Sequence, residues 1–302
     1  MKLRLNKSDF TAERMLYAVV MGLGLLVRSI SRNHSTAIAR FLGDIVYSVF
    51  KIRRKLVTEN LALVFPDKSA ADISAIARQV YRNQAENIIE MLRLPMIATV
   101  EDAARLVDMD TRELFAQTRD QHKGAVVVSA HFGNWELFAL CAGLLVSPLM
   151  VVVKRLKNQD IDRQINAWRG MHGNRVVYTW KALREGMRTL KNGGIVSLLA
   201  DQSSQKGQFF LDFMGRKAPV SLGPAFLALK AGVPLFVCMC RRTGDGRYIV
   251  ETEEIATGDL GTEKADAEEL ARRYTKVFER FIYRYPEEWF WLHNRWKRSE
   301  LR

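Results

Sequence analysis

From Gly124 onward, short apolar runs alternate with longer stretches in which apolar residues recur at helical spacing. The runs have the length and composition of buried strands. They cover residues 125–130, 149–155, 175–179, 195–200 and 234–240. Helical patterns lie between them, near residues 135–146, 159–171, 181–192 and 222–231. This alternation predicts βαβ units and an α/β fold with a mostly parallel central sheet flanked by helices.

The pattern predicts further elements on both sides of this region. Residues 70–95 form one long helical pattern that begins after the polar segment from Pro66 to Ser69. Arg247 to Glu254 predict an additional strand at the edge of the sheet. Residues 264–285 predict a final charged helix, and an aromatic segment closes the chain.

The front of the chain differs, because apolar and basic residues meet there. Residues 15–27 are apolar apart from glycines and Tyr17, and a second apolar segment from Ile38 to Phe50 carries Arg40 and Asp44. As a helix, residues 15–27 would span about 20 Å, which is short against a bilayer core of about 30 Å. We therefore expect an N-terminal membrane-associating segment of two amphipathic helices that lie in or dip into the membrane surface. Two ordinary core helices are the alternative.

Charge sharpens this picture. The 302 residues are 48% hydrophobic and 26% charged, which is ordinary for a globular protein, but the net charge is +13. Residues 1–55 hold eleven basic and three acidic residues, so most of the excess lies at the front. It predicts an acidic partner: anionic lipid, nucleic acid or an acidic protein. We accordingly divide the chain into residues 1–55 and a larger domain of residues 56–302.

The three cysteines are not spaced as metal ligands. Cys238 and Cys240 lie on one face of a predicted strand, and Cys141 lies in a predicted helix. We expect buried thiols in a reducing compartment and no metal site.

The segment SAHFGNWE, residues 129–136, carries the main candidate chemistry at a strand-to-helix junction. His131 and Glu136 could pair only across a bend, which Gly133 permits and Asn134 favours as an N-cap. A carboxylate on one ring nitrogen would leave the other free to take a proton from a hydroxyl. N–H groups at the helix start could stabilise an oxyanion. The alternative is a strand-end histidine that merely bonds a nearby carboxylate.

Several motifs, in order along nearly the whole chain, resemble the bacterial late acyltransferases of lipid A biosynthesis, the lauroyl and myristoyl transferase family. SAHFGNWE resembles the catalytic signature of that family, within the H-x-x-x-x-D/E motif of glycerolipid acyltransferases. The other matching segments are Asn60-Leu61, Phe65-Pro66-Asp67, Leu199 to Gln202, Gly207, Phe213-Met214-Gly215, Ser221 to Ala225 and Trp291 to Lys297. Two departures, Met214 for a common Phe and Ser221 for a frequent Thr, bear on the acceptor and the acyl length.

The resemblance implies an O-acyltransferase that moves a fatty acyl chain from a thioester to a hydroxyl of a lipid A precursor. The donor would be acyl carrier protein or coenzyme A, and the place the cytoplasmic face of the bacterial inner membrane. His131 would be the general base and Glu136 its orienting carboxylate. A thioester is already activated, so we expect direct transfer without cofactor or metal. Residues 56–302 would form the catalytic domain, and the basic front would meet anionic lipid.

Three further residues are candidates for substrate or oxyanion contacts. Arg169 matches an arginine of the family and could stabilise thioester or phosphate oxygens, although a surface salt bridge is the alternative. Asp201 follows a strand, where site residues of open α/β sheets usually lie, and could anchor the active-site loop or only cap it. Asn134 belongs to the helix start itself. The aromatic tail could anchor at a membrane interface or pack on the sheet, and for His293 we expect packing.

Other functions fit parts of the sequence. The acceptor could be another membrane lipid, such as a glycolipid or a lysophospholipid. A thioesterase or ester hydrolase would use water instead, although the chain has no G-x-S-x-G nucleophile elbow. Nucleic-acid binding is suggested by charge alone and lacks a recognised reading module, so we expect no nucleic-acid partner.

Overall fold

The computed structural model describes residues 7–109, 124–202 and 209–297, and the elements named below lie within these ranges. The helices are α1 (Lys7–Ser29), α2 (Arg32–Ile45), α3 (Arg54–Val64), α4 (Ala70–Arg93), α5 (Val100–Leu106), α6 (Trp135–Leu145), α7 (Gln159–Arg169), α8 (Ala182–Lys191), α9 (Gly223–Ala231) and α10 (Lys264–Arg284). The strands are β1 (Val107–Met109), β2 (Ala125–Ser129), β3 (Leu149–Val153), β4 (Arg175–Tyr178), β5 (Ile195–Leu199), β6 (Phe209–Phe213), β7 (Arg216–Val220), β8 (Leu235–Arg242) and β9 (Tyr248–Ile255).

Seven strands form the central sheet, in the order β1-β9-β8-β2-β5-β3-β4. The strands β8, β2, β5, β3 and β4 run parallel to one another. β9 runs antiparallel to β8 and parallel to β1. The prediction of an α/β fold with a mostly parallel sheet flanked by helices is confirmed. All five apolar runs are strands, and the four helical patterns between them are α6, α7, α8 and α9.

The apolar runs are continuous because both faces of the sheet are covered. All five residues of β2 are buried. Val126 and Val128 belong to one apolar cluster, and Ala125 and Val127 belong to another. Successive side chains of a strand point to opposite faces, so a strand between two layers needs apolar residues at every position.

Four strands depart from the sequence-based prediction, one in its position and three in being unpredicted. The predicted edge strand is present as β9, but β1 pairs with its outer side, so β9 is not the edge. The antiparallel pair β6 and β7 forms a separate two-stranded sheet that we did not predict. β1 has three residues and β7 contains Pro219, so neither shows the alternation that identifies a strand.

The N-terminal helices join the rest of the molecule through charged pairs on α4. Arg32 pairs with Glu90 at 2.9 Å, and Arg40 pairs with Glu86 at 2.7 Å. Asp44 binds two arginines of α4, and their hydrogen bonds and charges lower its pKa well below the usual value. Several large apolar side chains of α1 are exposed to solvent: Met15, Leu16, Val19, Leu23, Leu25 and Leu26. Among the described residues, none of the helices has the length and apolar character required to span a bilayer.

Candidate active site

His131 and Asp201 meet at the carboxyl end of the sheet. The two strands that precede them, β2 and β5, are parallel neighbours, and Ser129 is aligned with Leu199. Each residue stands two positions beyond this aligned pair, so both side chains lie at the same edge. His131 Nδ1 and Asp201 Oδ1 are 2.8 Å apart. This is the edge at which open α/β sheets place their functional residues.

The expected partner of His131, Glu136, binds a different residue. Its carboxylate forms two hydrogen bonds with Arg169, at 2.8 Å to Nε and 2.6 Å to Nη2. The predicted contact between His131 and Glu136 is therefore absent, and the imidazole binds Asp201 instead. The bend between 131 and 136 exists as predicted, but α6 begins after it and directs Glu136 toward the end of α7.

The Asp201 carboxylate is held from both sides. Its second oxygen, Oδ2, accepts a hydrogen bond of 2.9 Å from the indole Nε1 of Trp289. Burial opposes ionisation of Asp201, but the charge and hydrogen bond of His131, together with the indole N–H, outweigh it and lower its pKa. An ionised carboxylate can only accept, so Nδ1 of His131 donates to it. In the neutral ring the remaining nitrogen, Nε2, is then a proton acceptor.

A glycine turn connects His131 to α6. Gly133 has a φ of +55°, and a Cβ at this position would lie 1.6 Å from the carbonyl oxygen of Cys240. No side chain fits there. The Gly133 N–H donates to Glu288 O at 2.9 Å, and its carbonyl accepts from Asn87 Nδ2 at 2.7 Å. The turn is thereby fixed on both sides to the surrounding structure.

Asn134 has the capping role that the sequence indicated. Its side-chain oxygen accepts from the N–H of Leu137 at 3.1 Å and starts α6. The residue is buried, and its amide nitrogen lies 3.5 Å from the hydroxyl of Tyr248. Contact of this side chain with a substrate oxygen stays a prediction that the burial does not favour.

Arg169 is a fixed cation beside Glu136. Burial acts to lower its pKa, but the hydrogen bonds and charge of Glu136 outweigh that effect and raise it. Its third nitrogen, Nη1, donates to Asn166 at 3.0 Å. The side chains of Arg169 and Glu136 are 15% and 14% exposed, so the pair is largely shielded from bulk water.

A buried charged cluster behind the glycine turn was missed by the sequence analysis. Arg242, the last residue of β8, contacts Glu288 at 2.6 Å and Glu86 at 3.2 Å, and it also donates to Asn87. Burial opposes the charge of Arg242, but nearby ionisable groups raise its pKa. The signal lay in acidic residues on the apolar face of α4, which require a buried cation.

The aromatic tail packs into the protein. Trp289, Trp291 and Trp296 are all buried, and Trp296 Nε1 donates to Phe213 O at 3.3 Å. This matches the packing interpretation of the tail rather than an anchor at the membrane interface. The charges of His131 and Asp201 act on the pKa of His293. Burial, with the charges of Arg295 and His131, lowers its pKa to about 4, although Asp201 opposes the shift.

Solvent reaches the histidine of the pair but not the aspartate. The side chain of His131 is 22% exposed and that of Asp201 is 1% exposed. The rings of Trp135 and Phe290 flank the imidazole, with centroid distances of 5.0 and 6.1 Å. The part of the chain that the structure describes contains no cluster of metal-ligating side chains, and Gly207 of the sequence motifs lies outside it.

The fold and the site define the class as an α/β protein with a histidine–carboxylate pair at the carboxyl end of its sheet. Comparison with known proteins makes this specific. A model of the family described as bacterial lipid A biosynthesis acyltransferase matches residues 4–298. The chain therefore belongs to this family, and it is an O-acyltransferase.

Individual relatives agree with the family. The chain is 24% identical over 259 residues to a lipid A biosynthesis palmitoleoyltransferase of Escherichia coli (strain K12), covering 85% of this chain and 82% of the relative. It is 26% identical over 260 residues to a lipid A biosynthesis lauroyltransferase of the same strain, covering 85% and 83%. It is also 27% identical over 242 residues to a phosphatidylinositol mannoside acyltransferase of Mycolicibacterium smegmatis, covering 78% and 77%.

Proposed function

We propose that this acyltransferase moves a fatty acyl chain from an acyl thioester to a hydroxyl of a lipid A precursor. The observation that carries the chemistry is the pairing of His131 with the buried Asp201, which leaves Nε2 of the ring as the proton acceptor. The acceptor is inferred from the relatives named for lipid A biosynthesis.

The reaction needs one proton relay. Nε2 of His131 takes the proton of the acceptor hydroxyl as its oxygen attacks the thioester carbonyl. The ionised Asp201 stabilises the imidazolium that forms, as a buried carboxylate does in histidine-dependent acyl transfer. The tetrahedral intermediate then expels the thiolate, which takes the proton from the imidazolium. The products are the acylated lipid and the free thiol, and no covalent enzyme intermediate is required.

We propose two sources of stabilisation for the developing oxyanion. The first is the set of backbone N–H groups at the start of α6, where the helix dipole also favours negative charge. The second is the Arg169 guanidinium, whose position is fixed by Glu136. We therefore assign Glu136, the carboxylate of the H-x-x-x-x-E motif, as a positioning residue for Arg169.

We further propose that the reaction takes place at the cytoplasmic face of the inner membrane with acyl carrier protein or coenzyme A as the donor. In this proposal residues 1–55 associate with anionic lipid and residues 56–302 form the catalytic domain. The exposed apolar residues of α1 and the excess of basic residues in this front segment support the membrane contact. A cytoplasmic donor is consistent with the three buried thiols, Cys141, Cys238 and Cys240.

A second acceptor has specific support. The mycobacterial relative, at 27% identity, is named for acylation of phosphatidylinositol mannoside, a different membrane glycolipid. Both acceptors are membrane glycolipids that carry hydroxyl groups and an anionic phosphate, so the same base and the same basic front would serve either of them.

The test uses purified protein and whole-cell lipids together. His131→Ala should abolish acyl transfer while leaving the unfolding temperature close to that of the wild type, because the ring is partly exposed. Leu183→Ala, at a position 60% exposed on α8 and outside residues 1–55, is the control and should transfer normally. Mass spectrometry of lipids from cells carrying either variant should show a species short by one acyl chain only for His131→Ala. Near-normal transfer by purified His131→Ala would refute the proposed base.

A further incubation separates transfer from hydrolysis. Wild-type protein given acyl thioester without acceptor should release thiol far more slowly than with acceptor present. Rapid and complete release without acceptor would instead identify a thioesterase.

A further inference from the structure

The turn between α2 and α3 combines exposed apolar residues with cations. We call residues 48–55, SVFKIRRK, the basic tip. Val49, Phe50 and Ile52 are 68%, 67% and 53% exposed. Their neighbours Lys51, Arg53 and Lys55 are exposed as well, and Arg54 is half-buried. Exposed apolar and cationic side chains therefore lie next to one another within these eight residues.

The backbone of the basic tip is held in place. A π-helical turn, Val46–Phe50, ends at Lys51, whose N–H donates to Val46 O at 2.8 Å. Lys51 and Arg53 both have left-handed φ, at 52° and 55°, which is unfavourable for residues other than glycine. The strain persists because neighbouring contacts outweigh it.

Two side-chain contacts supply this support from below. The hydroxyl of Tyr81 in α4 donates to the carbonyl oxygen of Ile52. The guanidinium of Arg54 lies 4.4 Å from the ring centroid of Tyr47, which is itself buried. The apolar side chains are therefore presented to solvent by a fixed backbone, and their exposure is a built feature.

The apolar surface of the tip continues along α2. Ile38, Phe41 and Leu42 are also exposed. Their spacing of three and four residues places them on one face of α2, and Val49 follows seven residues after Leu42 in the π-helical turn. Single exposed apolar residues are ordinary, but a continuous stripe of them bordered by cations has the character of a surface that meets a bilayer interface.

The positive charge of the tip favours binding to an anionic bilayer. Lys51, Arg53, Arg54 and Lys55 are four cations within five residues. Each cation near an anionic bilayer surface is attracted to it, and the attraction falls off within a Debye length. Lys55 also lies 3.7 Å from Glu59, an exposed pair that salt would screen.

The basic tip is connected to the active site through one short segment of the aromatic tail. Arg53 Nη1 donates to Leu292 O at 2.7 Å. Two residues earlier, the N–H of Phe290 donates to the carbonyl oxygen of His131 at 2.9 Å. The charge of Arg53 is also among those that depress the pKa of His293, after the larger effect of burial. One short segment, residues 290–293, therefore contacts both the tip and the histidine.

We propose that the basic tip inserts Val49, Phe50 and Ile52 into an anionic lipid surface and thereby sets the opening at His131 against the bilayer. Insertion itself requires no catalysis. Its consequence for lipid acylation rests on the proposed function, because only a lipid acceptor has to be met at the bilayer surface.

A label at the tip tests insertion. Phe50→Cys provides an accessible thiol, whereas the native cysteines are buried, and burial raises the pKa values of Cys238 and Cys240 to about 12. An environment-sensitive fluorophore on this thiol should shift to the blue on addition of vesicles containing equal parts phosphatidylglycerol and phosphatidylcholine. Phosphatidylcholine vesicles and high salt should weaken the shift. The same label on Leu183→Cys, at a position 60% exposed on α8, is the control and should respond much less.

A second experiment separates insertion from catalysis. Phe50→Ser/Ile52→Ser should reduce vesicle binding in co-sedimentation by about tenfold or more, because two apolar side chains no longer enter the bilayer. Leu183→Ser should bind like the wild type. The tip variant should acylate a detergent-dispersed lipid A precursor normally and a vesicle-borne one slowly.

The possible results distinguish the two proposals. No blue shift at position 50, an equal shift at position 183, or undiminished vesicle binding by Phe50→Ser/Ile52→Ser would overturn insertion. Lack of acylation by the wild type in both presentations, with vesicle binding still dependent on the tip, would overturn the proposed function and leave insertion standing.

Discussion

Two carboxylates, Glu136 and Asp201, differ in how the chain places them relative to His131. Glu136 is five residues away along the chain, on the first turn of α6, and it binds Arg169. Asp201 is 70 residues away, at the end of the neighbouring strand, and it binds the ring. The carboxylate that is near in sequence is turned away by the helix start, whereas the distant one is aligned by strand register. Which carboxylate contacts His131 is therefore decided by strand pairing and not by proximity along the chain.

The two regions also differ in what holds the carboxylate. Asp201 is buried and receives hydrogen bonds from His131 and from the indole N–H of Trp289. Glu136 is partly exposed and faces a single arginine in a two-point contact. Loss of Asp201 removes a partner of the base, whereas loss of Glu136 removes the counter-charge of Arg169. The following substitutions test this difference, from the largest expected effect to the smallest.

Asp201→Asn should cause the largest loss among the carboxylate variants. The amide cannot stabilise an imidazolium and can hold the ring in the wrong tautomer, so we expect kcat to fall by about 10³-fold. Steady-state kinetics with acyl thioester and lipid acceptor would measure it, with Asp67→Asn at an exposed position as control. Retention of most of the activity would contradict the assignment of Asp201 as the partner of His131.

Glu136→Gln should reduce the rate less than Asp201→Asn, by about 10- to 100-fold, because an oxyanion-stabilising cation is displaced while the base keeps its partner. It should also destabilise the protein by about 2 kcal/mol, because Arg169 loses its charged partner. A double-mutant cycle with Arg169→Met, read by chemical denaturation, should recover part of that stability.

The relative size of these two losses decides the comparison. If Glu136→Gln abolished turnover and Asp201→Asn did not, the carboxylate near in sequence would be the one that serves the histidine during the reaction.

Trp289→Phe should give a moderate kinetic effect. The substitution removes the indole N–H that binds Asp201 Oδ2, so a buried carboxylate oxygen loses a donor. We expect kcat to fall about tenfold with little change in KM, because Trp289 acts on the base only through Asp201. Trp296→Phe, which removes an N–H that binds the Phe213 carbonyl instead, should lower stability and leave kcat nearly unchanged.

His293 should make the free energy of unfolding depend on pH without affecting the chemistry directly. Its pKa is lowered from 6.5 to about 4 in the folded protein, so between these values the unfolded chain binds a proton that the folded protein does not. The free energy of unfolding should therefore rise with pH from about 4 to about 6.5 and then level off. His293→Asn should flatten this rise in thermal unfolding measured across that range. An unchanged slope would show that His293 does not titrate as its burial indicates.

The elements that were predicted correctly are those with a long, consistent apolar or helical pattern. The five parallel strands and α6 to α9 were predicted because each has four or more residues of consistent apolar or helical pattern. β1, with three residues, and the β6–β7 pair, with Pro219, were not. In the site, His131 at the strand end, the bend at Gly133 and the cap at Asn134 were predicted from local chemistry. Arg242 was not, because its partners Glu86 and Glu288 come from distant segments.

The sequence by itself determined the class of fold, the family, the histidine and the basic, apolar character of the front segment. Each of these depends on residues that are close together along the chain, where periodicity, turns and motifs act. The tertiary structure alone decided that β5 lies beside β2, which brought Asp201 to the ring and left Glu136 to Arg169. Strand order follows from how helices and sheet bury their apolar faces together, a property of the whole chain that no short pattern contains.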